Sequence, residues 1–192
     1  MSMPAETQDI DQAIASFRAG VASASGEGLT PRGWSAEDWR DLFRFTDIRC
    51  IGAADVLIRR GDPECTLYFV LNGNLEVLIH SGDGMSMGPL TRVGAGSVLG
   101  EQSFFDGQPR SASVWAVVDS EVAAMSPQRY AAFTAARPEL ARELLFALGR
   151  ILAVRLRRTT AKVMGQGPIV FVPAGIHFAN QRKVTCDLYS AR

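Results

Sequence analysis

Gly100-Glu101-Gln102-Ser103-Phe104-Phe105-Asp106-Gly107-Gln108-Pro109-Arg110-Ser111-Ala112 gathers the residue types of an anion site. A glycine ahead of an acidic residue and a short helical turn allows close backbone approach. It also leaves the first N–H groups of that turn without intrahelical partners, available to an anion. Arg110 follows Glu101 on the far side of a Gly-x-Pro turn, which can return it to the same place on the next strand. A guanidinium suits a phosphate because it is always charged and donates in parallel pairs. Glu101 would be repelled by a phosphate, so the chemistry open to it is to accept from a neutral hydroxyl.

An anion site beside a hydroxyl acceptor, with a ribose 2′-OH as the natural hydroxyl, describes a cyclic nucleotide. The stretch resembles the phosphate-binding cassette of the cyclic nucleotide-binding domain, found in bacterial catabolite activator proteins and in regulatory subunits of cAMP-dependent protein kinase. The family pattern is Gly-Glu, two small or apolar residues, then Pro-Arg-x-Ala after a short turn. Upstream, Arg60-Gly61-Asp62-Pro63 and Leu67 through Val77 resemble the family's other signature, and Val93 to Gly100 resembles the strand entering the cassette. The resemblance covers roughly residues 34–164.

By that resemblance, Gly100 permits the turn and Glu101 accepts from the ribose 2′-OH. The backbone N–H groups of Gln102 and Ser103, with Arg110, hold the cyclic phosphate, and Ser111 adds a hydroxyl. Gln102 and Ser103 stand where apolar or small residues are usual, which leaves the backbone donors intact and makes the pocket more polar. In the bacterial relatives a Thr-Ser pair on the long helix contacts adenine. An ungapped comparison places Arg155-Leu156 there, with Thr159-Thr160 one turn later. The favoured nucleotide is cAMP, with cGMP and cyclic di-GMP open. The competing reading is a ligand-independent interaction scaffold of the same fold, its pocket empty or self-filled, in which Arg110 pairs with Glu101 or Asp106.

Composition bounds these readings. The 192 residues are 47% hydrophobic and 21% charged, which excludes wholesale disorder and a fibrous class. Twenty Lys+Arg balance twenty Asp+Glu, so there is no global attraction for nucleic acid or an anionic membrane. The longest apolar run, Leu144 to Leu156, is broken by Arg150 and Arg155, and a bilayer span needs about 20 apolar residues. Cys50, Cys65 and Cys186 have no CxxC spacing and read as free thiols in a reducing cytoplasm, with Cys50 and Cys65 buried and inert. The histidines, His80 and His177, are too far apart in sequence to suggest a metal site, a cofactor or a hydrolytic triad, so no enzyme activity is expected.

The elements that must position the cassette follow from periodicity. Ala5 to Ala19, with Ile10, Ile14 and Phe17, predicts a short amphipathic helix; Gly20 to Gly33 reads as a linker or mobile loop. Ser35 caps a second helix whose apolar face is Trp39, Leu42 and Phe43. From Ile48 to Ala124, short strands separated by turn residues predict a small antiparallel barrel or roll. Within it, Ala112, Val114 and Ala116 face inward and Trp115 outward, against the N-terminal helix or a partner. Ser126-Pro127 starts a helix that ends before Pro138, and a long helix follows over about Glu139 to Met164.

Along the long helix Leu145, Leu148, Leu152, Leu156, Thr159 and Val163 form one stripe. At about 39 Å the helix would overhang a small barrel, which predicts a homodimer seam. Arg150, Arg155, Arg157, Arg158 and Lys162 read as its solvated outer face, or as a grip on an acidic partner or a phosphate.

The expected architecture is α+β, mainly β: an eight-stranded jelly-roll (the cyclic nucleotide-binding β-roll) with N-terminal helices and a long C-terminal helix. Residues 1–33 form an N-terminal helix and linker, 34–164 the domain, and 165–192 a tail with strand-like pieces at Ile169–Val172 and Val184–Tyr189. The tail holds no helical pair and few basic residues, so direct DNA binding is not expected and output passes through a protein partner.

Overall fold

The computed structural model describes residues 5–23, 28–78 and 91–166. Its elements run α1 (Ala5–Ser23), α2 (Ala36–Phe43), β1 (Asp47–Ile51), β2 (Val56–Ile58), β3 (Leu67–Asn72), β4 (Asn74–Leu78), β5 (Thr91–Gly94) and β6 (Val98–Leu99). They continue with α3 (Glu101–Asp106), β7 (Ser113–Ala116), β8 (Ser120–Met125), α4 (Pro127–Ala136) and α5 (Pro138–Gln166). Among the described residues the expected strands and helices are present, with the single interruption of the strand pattern becoming α3.

Two four-stranded antiparallel sheets face each other, ordered β1-β8-β3-β6 and β2-β7-β4-β5. Strand alternation divides the core in two. From β3, Tyr68 and Val70 enter the cluster between the sheets with Leu75, Val114, Ala116 and Val122. Leu67, Phe69 and Leu71 point the other way, into a cluster shared with the helices. Being covered on both faces, β3 is apolar from Leu67 to Leu71, unlike a half-exposed strand.

Ser35 and Asp38 close a capping box at the start of α2, and Ser126 caps α4 with Pro127 at its first position. Proline at the head of α5 separates it from α4 because Pro138 disfavours helical geometry in the residue before it. The Arg137 guanidinium, between these helices, pairs with Asp38 and Asp41 of α2.

Four expectations are corrected. First, α1 extends past Gly20 to Ser23, so the linker begins later. Its Gly20 lies against the β5–β6 turn, where a Cβ would come within 2.2 Å of the Ala95 carbonyl carbon. Leu29 is fully buried in the core, and Arg150 of α5 donates to Gly28 O (2.9 Å) and to Thr30 Oγ1.

Second, α1 does not cover Trp115. Its Phe17 meets Trp39, Phe43 and Phe69 in tilted and edge-on ring contacts, whereas Trp115 lies on β7 in the other sheet, paired with Val56 and Glu76.

Third, the buried face of α5 is Ala141, Leu144, Ala147, Leu148 and Ile151. Leu145 and Leu152 are half-buried and Leu156 is 68% exposed. The anticipated single stripe is therefore two adjoining faces, because a helix turning 100° per residue separates 144 and 148 from 145 and 152.

Fourth, Cys50 is exposed and Cys65 half-buried. The expectations for His80, His177, Cys186, the Lys162 and Val163 side chains and the 167–192 tail lie outside the described residues.

Candidate functional site

A cavity of about 440 Å³ opens between the second sheet, α3 and α5. This is within the size range of small-molecule sites. Ile58, Val77, Val93, Leu99 and Val114 give it apolar walls, with Thr91 and Ala112 beside them. Gly100, Glu101, Gln102, Ser103, Arg110 and Ser111 all line it, so one cavity gathers every residue singled out in the cassette.

Gly100 caps α3 with a left-handed backbone (φ +80°). A Cβ there would meet Arg110 Nη1 at 2.3 Å and Thr66 O at 2.6 Å. Glycine is required on both counts, conformation and space. Glu101, the first residue of α3, is 5% exposed, and Ser103 is also buried. Gln102 is exposed and accepts from Ser111 Oγ at 2.5 Å. The opening N–H groups of α3 have no carbonyl one turn earlier within the helix, as at any helix start.

Arg110 is delivered by backbone pairing. Its N–H donates to Asp62 O and its C=O accepts from the Gly61 N–H, both at 2.9 Å. The Arg60-Gly61-Asp62-Pro63 turn thus fixes the loop that carries the arginine ahead of β7. Arg110 is 3% exposed. Its Nη2 donates to Thr66 O (2.7 Å) and Glu64 Oε2 (3.3 Å), and its Nη1 to Gly100 O (3.2 Å). Arg110 Nε is buried with no hydrogen-bond partner among the described residues. A buried donor left unmatched costs free energy that an anionic acceptor would recover.

The pairing of Arg110 with Glu101 or Asp106 is not what forms. Glu101 Oε1 instead accepts from Arg155 Nη1 (2.5 Å), and Arg155 Nη2 donates to Val98 O (2.9 Å). Asp106 accepts from the Gln108 N–H (2.9 Å) and shapes the turn. Arg155 and Arg158, read from sequence as an outer solvated face, line the cavity together with Thr159. Arg155 falls on the face of Leu148 and Ile151 at three- and four-residue spacing, and the ungapped comparison also sets it where the bacterial relatives contact the base.

Glu64 and Tyr68 carried no signal of their own. Burial alone would raise the pKa of Glu64, but hydrogen bonds from Thr66, Tyr68 and Arg110, with the arginine's charge, take it below the usual carboxylate value. Burial first, then the Glu64 charge, raises the pKa of Tyr68. Among the described residues no group of three or more His, Cys, Asp or Glu could hold a metal ion, and no helix is long and apolar enough to cross a membrane.

Residues 48–137 match the family model of the cyclic nucleotide-binding domain. The chain is 37% identical over 144 residues to the cAMP-activated global transcriptional regulator CRP of Haemophilus influenzae, covering 74% of this chain and 61% of that protein. It is 37% identical over 115 residues to the cAMP-activated global transcriptional regulator Vfr of Pseudomonas aeruginosa, covering 58% and 51%. The chain therefore spans between half and two thirds of these relatives' length. A cyclic nucleotide-binding domain from Methylobacillus flagellatus shares the fold at a TM-score of 0.71 (24% identity; 84% of this chain, 88% of that one). The catabolite activator protein of Thermus thermophilus aligns at 0.62 (26% identity; 70% and 62%).

Proposed function

We propose, from the match of residues 48–137 to the cyclic nucleotide-binding domain, that the chain is a cyclic nucleotide sensor, with cAMP as its ligand. The observation that carries this is one cavity lined by both the buried Arg110, whose Nε has no hydrogen-bond partner among the described residues, and the buried Glu101. In this reading the phosphate takes Arg110, the Ser111 hydroxyl and the N–H groups of Gln102 and Ser103. Gly100 keeps the approach open, and a ribose hydroxyl donates to Glu101. The base lies along the apolar sheet wall toward Thr159. The adenine preference is supported by the cAMP-activated relatives.

Occupancy is reported by α5, because the same helix supplies Arg155, Arg158 and Thr159 to the cavity. Ligand shifts the helix only by as much as its affinity differs between helix positions. Two copies pair along Leu145, Leu152 and Leu156, and the output is read by a protein partner.

A second reading has its own observation. Arg155 already occupies Glu101 Oε1, as a self-filled pocket in a ligand-independent scaffold would require. Thermal melting with cAMP, cGMP and cyclic di-GMP, on the unsubstituted chain and Arg110→Ala, separates the two. A sensor at 1,000-fold excess over Kd gains about 4 kcal/mol, or roughly 8–16 °C, and Arg110→Ala abolishes it. No response to any nucleotide at millimolar ligand overturns the sensor and leaves the scaffold.

A further inference from the structure

We propose that the N-terminal segment braces α5 against the cavity, with Arg150 as the positioning residue that joins the two. This rests on the reading of the cavity as a nucleotide site. Arg150 Nη2 donates to Gly28 O (2.9 Å) and to Thr30 Oγ1, reaching back 122 and 120 positions. Between those acceptors Leu29 is fully buried, in the core cluster that also holds Phe17, Leu148 and Ile151. Arg155, Arg158 and Thr159, which α5 supplies to the cavity, follow Arg150 within about 8–14 Å along the helix.

The same segment is seated on the sheet side of the cavity. Phe17 of α1 meets Phe69 of β3 edge-on, and the end of α1 touches the β5–β6 turn backbone to backbone. A Cβ on Gly20 would come within 2.2 Å of the Ala95 carbonyl carbon, and one on Gly96 within 2.2 Å of the Val21 nitrogen. Glycine on both sides is what lets helix and turn meet. The strand β5 gives Thr91 and Val93 to the cavity, and β6 gives Leu99 and leads into Gly100. The N-terminal segment therefore touches both the turn between two cavity-lining strands and the helix that supplies a further wall.

Arg150 lies about 150° around α5 from Leu145 and Leu152. The brace and the proposed seam between copies thus use different flanks of the helix. A wall held in position spares the ligand the cost of ordering it, so the brace tightens binding. By linkage the converse holds to the same extent: a ligand that favours this position of α5 strengthens the docking of α1 and residues 28–30. Occupancy is then reported at the N-terminal segment as well as by α5.

Titration calorimetry with cAMP, and with cGMP alongside, tests this on the unsubstituted chain, Arg150→Ala and Arg150→Lys, together with amide hydrogen exchange with and without nucleotide. Arg150 is exposed and is not among the cavity-lining residues, so its replacement leaves the core and every proposed binding group in place. Arg150→Ala should bind about three- to tenfold more weakly. Arg150→Lys, which keeps the charge and a donor, should recover most of that loss. In the unsubstituted chain, nucleotide should slow exchange at the end of α1 and at residues 28–30. In Arg150→Ala that slowing should vanish while slowing at residues 100–111 persists. An Arg150 that only stabilises the fold would lower the melting temperature of the alanine variant and leave affinity unchanged. Equal or tighter binding by Arg150→Ala, or exchange in the N-terminal segment indifferent to nucleotide, overturns the brace and spares the sensor reading when the unsubstituted chain binds. No binding by the unsubstituted chain overturns both.

Discussion

Arg155 reaches back 54 positions to donate to Glu101 at 2.5 Å, tying the long helix α5 to the first residue of the cassette helix α3. A second donation, to Val98 O, anchors the same guanidinium to the strand that leads into the cassette. The helix proposed to report occupancy is thus joined directly to the residue proposed to take the sugar.

Arg155→Ala should lower stability by about 2–4 kcal/mol, because it leaves the Glu101 carboxylate buried without its guanidinium. Urea unfolding measures the loss. The double variant Arg155→Ala with Glu101→Gln should lose less than the sum of the two singles, since neither then leaves a buried charge unpaired.

Gly100→Ala should cost about 1–3 kcal/mol and abolish cAMP binding. Its Cβ would overlap Arg110 Nη1 and the Thr66 carbonyl, in a backbone conformation that L residues rarely adopt. A melting curve and calorimetry on one preparation separate the two effects. Unchanged binding by a folded Gly100→Ala protein would count against the cassette assignment.

The capping box of α2 should make stability depend on acid. Hydrogen bonds from the Ser35 side chain and backbone, then Arg137, lower the pKa of Asp38 below its ordinary value. A depressed carboxylate contributes stability that is complete above the ordinary value and is lost as pH falls through the lowered one. Asp38→Asn should therefore cost about 1 kcal/mol at pH 7 and almost nothing well below the carboxylate range. Melting temperature against pH for the two proteins gives the comparison.

Leu156→Glu should make the chain monomeric without unfolding it. The side chain is 68% exposed and leaves the core intact, but it lies in the proposed seam between copies, where a charge would be desolvated. Light scattering after size exclusion reads the mass. A monomeric unsubstituted chain at tens of micromolar, about the concentration of such an experiment, would count against the seam.

The cassette was legible because its information is local. Gly100, Glu101 and Arg110 declare themselves by type and spacing within eleven residues, and the Asp62-Pro63 turn that positions Arg110 is a short motif as well. The helix caps at Ser35 and Ser126 were readable for the same reason. The two faces of α5 were not separated, because leucines at three- and four-residue spacing fit more than one stripe. The aromatic cluster of Phe17, Trp39, Phe43 and Phe69 drew α1 to β3, a choice of partner that periodicity does not encode.

The sequence by itself determined the elements, the strand alternation that separates inner from outer faces, and the residue types of an anion site. Only the tertiary structure decided which charges meet. Arg110 finds Glu64 across 46 positions and Glu101 finds Arg155 across 54, leaving Asp106 to shape its own turn. A charged side chain has several oppositely charged candidates in any chain. Strand pairing and helix packing choose among them by bringing one within hydrogen-bond reach while water is excluded, and no local pattern carries that distance.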